Sequence, residues 1–111
     1  AHSVHHPNLS LACDELSRRE MQESRRYLEA LLQAPVTGFA YPGGRMRSVT
    51  ARIAQEVGFA YALSTDTGVN QPPHDRLRLK RIGMPDAGLA DFRRAFSGAL
   101  LRNRADLDRR F

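Results

Sequence analysis

Apolar and polar positions along this chain fall into alternating helical and extended patterns after a short opening loop. Residues 13 to 33 set Leu16, Tyr27, Leu28, Leu31 and Leu32 among charged side chains, the one-sided spacing of an amphipathic helix. Ser17 followed by Glu20 has the form of a capping box, Asp14 can equally cap a helix that starts earlier, and Pro35 closes the segment. The run "VTGFAYP" is short, bounded by proline, and supplies Val36, Phe39 and Tyr41 as strand formers. "GGR" then turns the chain. Residues 46 to 57 place Met46, Val49, Ile53 and Val57 on one stripe, with Gly58 where a left-handed C-terminal cap belongs.

A second strand is predicted over "FAYALS" at 59 to 64, and "TDTGVNQPPHDR" reads as loop from its Gly, Asn, Asp and paired prolines. "LRLKRIGM" alternates enough for a third strand. Residues 86 to 102 give a last helix, with Asp86 near its start and Leu89, Phe92, Phe96 and Leu100 facing inward. The end, 103 to 111, is charged. Strands alternating with helices of this length imply parallel pairing through helical crossovers, an α/β layer or part of a barrel. Three strands of a parallel sheet expect neighbours on both sides, so the chain reads as the C-terminal part of something larger, with the N-terminal strands missing. A chain of this kind on its own is expected to cover its open sheet edge by self-association or by rearrangement.

Length and composition agree with one domain or a piece of one: 111 residues, 41% hydrophobic and 26% charged, as in ordinary soluble globular proteins. No apolar run approaches the roughly 20 residues that span a bilayer. Cys13 has no second cysteine to pair with and is expected to be a small buried residue. The net charge of +5 would suit an anionic partner if it were gathered on one surface. Instead Arg18, Arg19, Arg25 and Arg26 alternate with Glu15, Glu20, Glu23 and Glu29, the pattern of a solvated helix face with i,i+4 pairing, so nucleic-acid binding is not expected.

The candidate chemistry lies at the front, in "AHSVHHP". His2 and His6 are four apart with His5 between them, a spacing that lets two imidazoles share one metal ion on a helix or in a tight loop. Pro7 disfavours helical geometry for the residue before it, so a loop or single turn is predicted. Neutral imidazole suits zinc, and also cobalt, nickel or iron. Taken alone, such a cluster can equally be a cloning remnant or chance. Two histidines also leave a site short, because catalytic zinc commonly keeps three protein ligands and an open position for water.

The rest of the chain adds to this. "HSVHHP" resembles the second motif of the polysaccharide deacetylase family, the NodB-homology domain: His, Ser or Thr, two variable residues, His and Pro, carried by His2, Ser3, His6 and Pro7. "GFAYPGGR" is similar to the family's third motif through Phe39, Ala40, Tyr41, Pro42 and Gly44, with Gly43 in place of the usual aromatic residue. "EVGFAYALSTDTGVN" and "LKRIGM" resemble two later segments in the family's order, so the resemblance covers about residues 2 to 84.

The resemblance implies a distorted (β/α) barrel and a metal-dependent hydrolase that removes N-acetyl or O-acetyl groups from a polysaccharide or oligosaccharide. It implies His2 and His6 as two of three protein ligands to a divalent metal, zinc first. The third ligand and the catalytic base would be aspartates of an upstream motif that the chain lacks, so the chain alone is expected to be inactive. Tyr41 would supply a backbone N–H to the oxyanion, and Tyr41, Pro42 and Gly43 would line the substrate site. The family's late Leu-x-His motif is not matched, since Lys80 and Arg81 follow Leu79; Arg81 can line the site or be structural, and His74 is not promoted. Asp66 is expected to be an ordinary loop carboxylate, and Tyr41 and Tyr61 are more readily core residues than sugar-stacking ones. Family habit suggests export or the cell envelope. Residues 1 to 102 are thus expected to be a partial deacetylase domain, followed by the charged end. The competing readings are a non-catalytic descendant that binds metal or glycan, and a small basic nucleic-acid-binding α/β module.

Overall fold

The periodicity of residues 13 to 33 becomes helix α1, Asp14–Leu32. It begins at Asp14, with Asp14 and Glu15 in the first turn, where carboxylates oppose the positive end of the helix dipole. Ser17 and Glu20 are therefore inside the helix and not a capping box. The buried stripe is Ser17, Glu20, Met21 and Ser24, spaced 0, 3, 4 and 7. Tyr27, Leu31 and Leu32 are exposed, so the leucine-rich stripe expected to form the core faces away from it. Small side chains on the buried stripe allow close approach to a neighbouring helix, which a row of leucines would hold off. Cys13, expected to be buried, is exposed at the N-cap position.

The computed structural model describes residues 1–72, 74–83 and 88–97. After α1 come strand β1, Gly38–Ala40, a 3-10 turn, Pro42–Gly44, helix α2, Ser48–Val57, strand β2, Tyr61–Thr67, and strand β3, Leu79–Arg81. A further helix, α3, is described over residues 89–97. The predicted order of elements holds, although β2 runs three residues past its predicted end and β3 starts two residues later than predicted. Leu89, Phe92 and Phe96 are exposed rather than inward, with the Phe92 and Phe96 rings stacked at 6.3 Å between centroids. Asp86, Leu100 and the charged end lie outside the described residues. No helix among the described residues is long and apolar enough to cross a membrane.

The sheet is parallel throughout, in the order β1-β2-β3, with Phe39 opposite Ala62 and Leu63 opposite Leu79. Helix α2 returns the chain from β1 to β2, as a parallel crossover requires. Gly58 ends it at φ 109, with its N–H on the Ala54 and Gln55 carbonyls. Leu9, Met21, Phe39, Tyr41, Ile53, Ala54, Phe59, Ala62 and Leu77 form the buried core.

The two edges of the sheet differ. Beside β1, the Ala1 ammonium donates to the Gly38 carbonyl and the Ala40 N–H donates to the Ala1 carbonyl, both at 2.8 Å, the two bonds a parallel neighbour makes. Beside β3, the Asn70 side-chain amide takes the place of a peptide group. Its Nδ2 donates to the Lys80 carbonyl at 3.0 Å, and its Oδ1 accepts the Lys80 N–H at 2.9 Å.

The Arg/Glu alternation on α1 is only partly a solvated face. Arg25 and Glu29 form the expected i,i+4 pair at 2.7 Å, and Arg18 pairs across to Glu56 of α2. Glu20 is buried, and its partners are in the opening loop.

Candidate metal centre

Parallel α/β sheets present loops at the carboxyl ends of their strands, and ligands gather there. Ala40, the last residue of β1, meets the opening loop at that end. His2 Nδ1 lies 2.8 Å from the Ala40 carbonyl oxygen. A carbonyl can only accept, so Nδ1 carries the proton, and the tautomer this selects has its lone pair on Nε2. This is the arrangement that fixes tautomer and orientation in metal-binding histidines, whose second nitrogen is commonly tied to a carbonyl or carboxylate.

The His6 ring stands edge-on to His2, with centroids 4.8 Å apart and an interplanar angle of 69°. The backbone between them turns tightly: Ser3 and His6 adopt positive φ, 64° and 55°, and the His6 N–H donates to Ser3 Oγ at 3.0 Å. The predicted loop thus brings both rings together. The middle histidine does something else. His5 Nδ1 lies 2.7 Å from Glu20 Oε1, while the Val4 and His5 N–H groups donate to Glu20 Oε2 at 2.7 and 3.0 Å. Burial by itself would raise the Glu20 pKa, but the hydrogen bonds from His5 and Val4 outweigh it and hold the carboxyl below its usual value. His2, Ser3 and Val4 form one wall of a cleft of about 600 Å³. Glu23, Ser24, Tyr27 and Leu28 of α1 form the other.

The donor set suits a divalent cation in kind and is short in number. Two imidazoles, one of them oriented by the Ala40 carbonyl, suit zinc and its neighbours in ligand type. Among the described residues no group of three or more His, Cys, Asp or Glu side chains gathers to hold a metal.

The other expected site residues are placed differently. Tyr41 is fully buried, its ring edge-on to Phe39 at 5.6 Å and its hydroxyl donating to the Leu77 carbonyl at 2.7 Å. Burial, with Asp75 adding to it, pushes the phenol pKa far above the usual tyrosine value. Tyr41 is therefore a core residue with no face for a sugar. Its N–H, expected at an oxyanion, is used by the Leu63 carbonyl at 3.1 Å, a bond that continues the β1–β2 ladder. Pro42 is buried as well, leaving Gly43 as the exposed member of the expected substrate loop. Gly43 takes φ 62, a left-handed backbone that glycine adopts without steric cost.

Arg81 Nε donates to the Ser64 carbonyl at 2.7 Å, pinning β3 to β2. Asp66 pairs with Arg78 at 3.1 Å, and His74 lines a separate polar cavity with Asp66, Asn70 and Asp75. Tyr61 is partly exposed, with its ring packed over Gly38. The residue not foreseen as part of this centre is Glu20. Its only sequence signal was a carboxylate on the stripe that also holds Met21 and Ser24.

Comparison with known proteins decides the family. The polysaccharide deacetylase model matches residues 1–62, more than half of the chain. The chain belongs to the polysaccharide deacetylase family. Among solved structures it is similar to the Streptococcus pyogenes deacetylase PplD, solved in complex with acetate. That match has 28% identity and a TM-score of 0.76 over 85% of this chain. The polysaccharide deacetylase BC0361 from Bacillus cereus shares the fold at 20% identity and a TM-score of 0.72 over 86% of this chain. The chain spans 42% and 30% of the lengths of those two proteins. No curated protein matches by sequence. The parallel α/β arrangement is thus that of part of a deacetylase domain.

Proposed function

We propose that this chain carries the histidine half of a metal-dependent deacetylase centre acting on an acetylated polysaccharide or oligosaccharide, with zinc the first candidate metal. The observation that carries this reading is the His2–Ala40 hydrogen bond, which leaves Nε2 as the ligand atom beside the His6 ring. A divalent cation held there supplies Lewis acidity toward an acetyl carbonyl and acidifies water. The chain's own residues do the rest of the local work. Ala40 fixes the His2 tautomer, Ser3 and Glu20 fold the loop, and the exposed Gly43 offers backbone beside β1 for a sugar to approach.

A third ligand and a general base are needed for turnover; Glu20 is committed to the loop, Asp66 to Arg78, and Glu23 across the cleft does not gather with the two histidines into a metal-binding group. The 111-residue chain alone is therefore inactive in this proposal. Beside β1 the outward Gly38 and Ala40 groups are already taken by Ala1 and His2, so a second copy adding there would have to displace the opening loop. The second reading, metal or glycan binding without turnover, is favoured by the same shortage of donors among the described residues.

Zinc content after dialysis, compared with a His2→Ala/His6→Ala double variant, tests the site. Loss of the metal in the double variant supports it, and equal content in both removes the ligand assignment. Release of acetate from an acetylated chito-oligosaccharide by the chain alone would overturn the proposed inactivity.

A further inference from the structure

One buried carboxylate ties the histidine loop to α1. Glu20 is 4% exposed, and both of its oxygens are taken by consecutive residues of the loop: Oε2 by the Val4 and His5 N–H groups, Oε1 by the His5 ring. Taking a carboxylate out of water is costly unless its acceptor positions are filled, and here the loop fills them. No partner on α1 itself is involved in these three bonds. The helix gives up an apolar position on its buried stripe, between Ser17 and Ser24, to hold a charge whose use lies in the loop.

The loop in turn needs holding. Ser3 and His6 are non-glycine residues at positive φ, a strained conformation that persists only where the surroundings over-determine it. These residues flank Val4 and His5, the pair that Glu20 grips. His2 and His6 are the ends of the same five-residue turn, so the separation of their rings follows from the path of the main chain between them. The Ala40 carbonyl anchors one end, and Glu20 anchors the middle.

We propose that Glu20 is a positioning residue for the His2–His6 pair, setting the spacing of the two rings by fixing the main chain of Val4 and His5. His5 serves as a side-chain latch on the same carboxylate and not as a ligand. This inference rests on the reading of His2 and His6 as metal ligands, but its structural half can be tested without metal.

The test uses the full 111-residue chain with Glu20→Ala, Glu20→Gln and, as a control on the same helix, Arg18→Ala, which breaks only the exposed pair to Glu56. In the metal-free proteins, amide exchange at Val4 and His5 and the inter-ring nuclear Overhauser effect between His2 and His6 report the loop; amide exchange at Ile53 and Ala54 reports the fold. Zinc affinity is read by competition with a chromophoric chelator. Glu20→Ala is expected to lose the inter-ring signal and the loop protection while keeping that of α2. It should also bind zinc more weakly, by roughly 10-fold, the lower end of what losing a direct outer partner of a metal ligand costs, because Glu20 acts on the ligands through the main chain. Glu20→Gln, which keeps one acceptor oxygen, falls between, and carries the test if Glu20→Ala does not fold. Arg18→Ala matches the parent.

A folded Glu20→Ala chain with unchanged inter-ring signal and loop protection overturns the proposal, as does lost protection with parent-like zinc affinity. If the parent binds no zinc while Glu20→Ala still loses the inter-ring signal, the positioning role stands and the metal reading falls.

Discussion

His2 and Ala40, 38 residues apart in the chain, are joined by a 2.8 Å hydrogen bond from the imidazole Nδ1 to a main-chain oxygen at the end of β1. In the proposed centre the bond separates two jobs of one ring: Nδ1 anchors the loop and Nε2 is left to bind. Substitution can take the jobs apart. An asparagine amide N–H reaches the place of Nδ1 but has no atom where Nε2 stands; glutamine reaches the Nε2 position and leaves the anchor. His2→Asn should keep thermal stability within about 1 kcal/mol of the parent, the worth of a typical hydrogen bond. It should nevertheless lose zinc in chelator competition. His2→Gln should lose about 1 kcal/mol as well as zinc. Parent-like zinc affinity in His2→Asn would show that Nε2 is not the ligand atom.

Tyr41 predicts an alkaline limit. Its phenol pKa is raised in the fold by burial first and by Asp75 second, from an ordinary value of 10.0. A folded-state pKa above the unfolded one means that the linked stability is complete below pH 10 and is lost as pH rises beyond it. Ionisation of Tyr41 should therefore coincide with unfolding, as a tyrosinate absorbance step in step with the loss of helical circular dichroism. Tyr41→Phe should remove that step and cost about 1–3 kcal/mol at neutral pH, because the buried Leu77 carbonyl loses its donor. An absorbance step for Tyr41 well below the unfolding transition would place its hydroxyl in water.

How far the sequence could be read follows from what each signal depends on. The order of elements was legible because helix period and strand composition are local, and Gly58 marked the end of α2 by its own backbone need. The direction in which α1 and α3 face was not. An apolar stripe says that a helix has a preferred face, and Tyr27, Leu31, Phe92 and Phe96 have one, but the burial of that face depends on what lies opposite. The two histidines of the pair were legible from spacing and motif. A motif places Tyr41 at the site but does not say that its N–H lies on the Leu63 carbonyl and its hydroxyl on that of Leu77. In the sequence Glu20 looks like one more charge on a solvated face, since the Val4 and His5 groups that bind it are 16 and 15 residues away.

Gly58 and Gly43 both take positive φ, 109° and 62°, but their surroundings differ. A Cβ at Gly58 would stand 2.2 Å from Arg25 Nη1, and that guanidinium also pairs with Glu29 and lies 5.7 Å over the Phe59 ring. A Cβ at Gly43 meets nothing nearer than the Arg45 side chain at 3.8 Å. In urea unfolding, Gly43→Ala should cost only the backbone term, about 1–2 kcal/mol. Gly58→Ala should cost more, about 2–3 kcal/mol, because Arg25 must also be displaced. Equal losses would mean that Arg25 contributes little where it sits.

Asn70 makes the last prediction, which concerns the edge of the sheet rather than the site. By matching the N–H and C=O of Lys80 with one side-chain amide, it closes the outer edge of β3 at its centre without adding a strand. An edge strand left with unpaired main-chain groups is a template for another chain. Asn70→Ala should therefore change stability little, about 1 kcal/mol, since water can replace exposed hydrogen bonds. Its larger effect should appear in sedimentation velocity, as association that grows with concentration beyond that of the parent. Adding Lys80→Pro should reverse this, because the bond lost is the outward N–H that Asn70 had covered and proline is tolerated on an edge with that orientation. If Asn70→Ala sediments like the parent while its Lys80 amide exchanges faster, an open β3 edge does not by itself recruit a second chain.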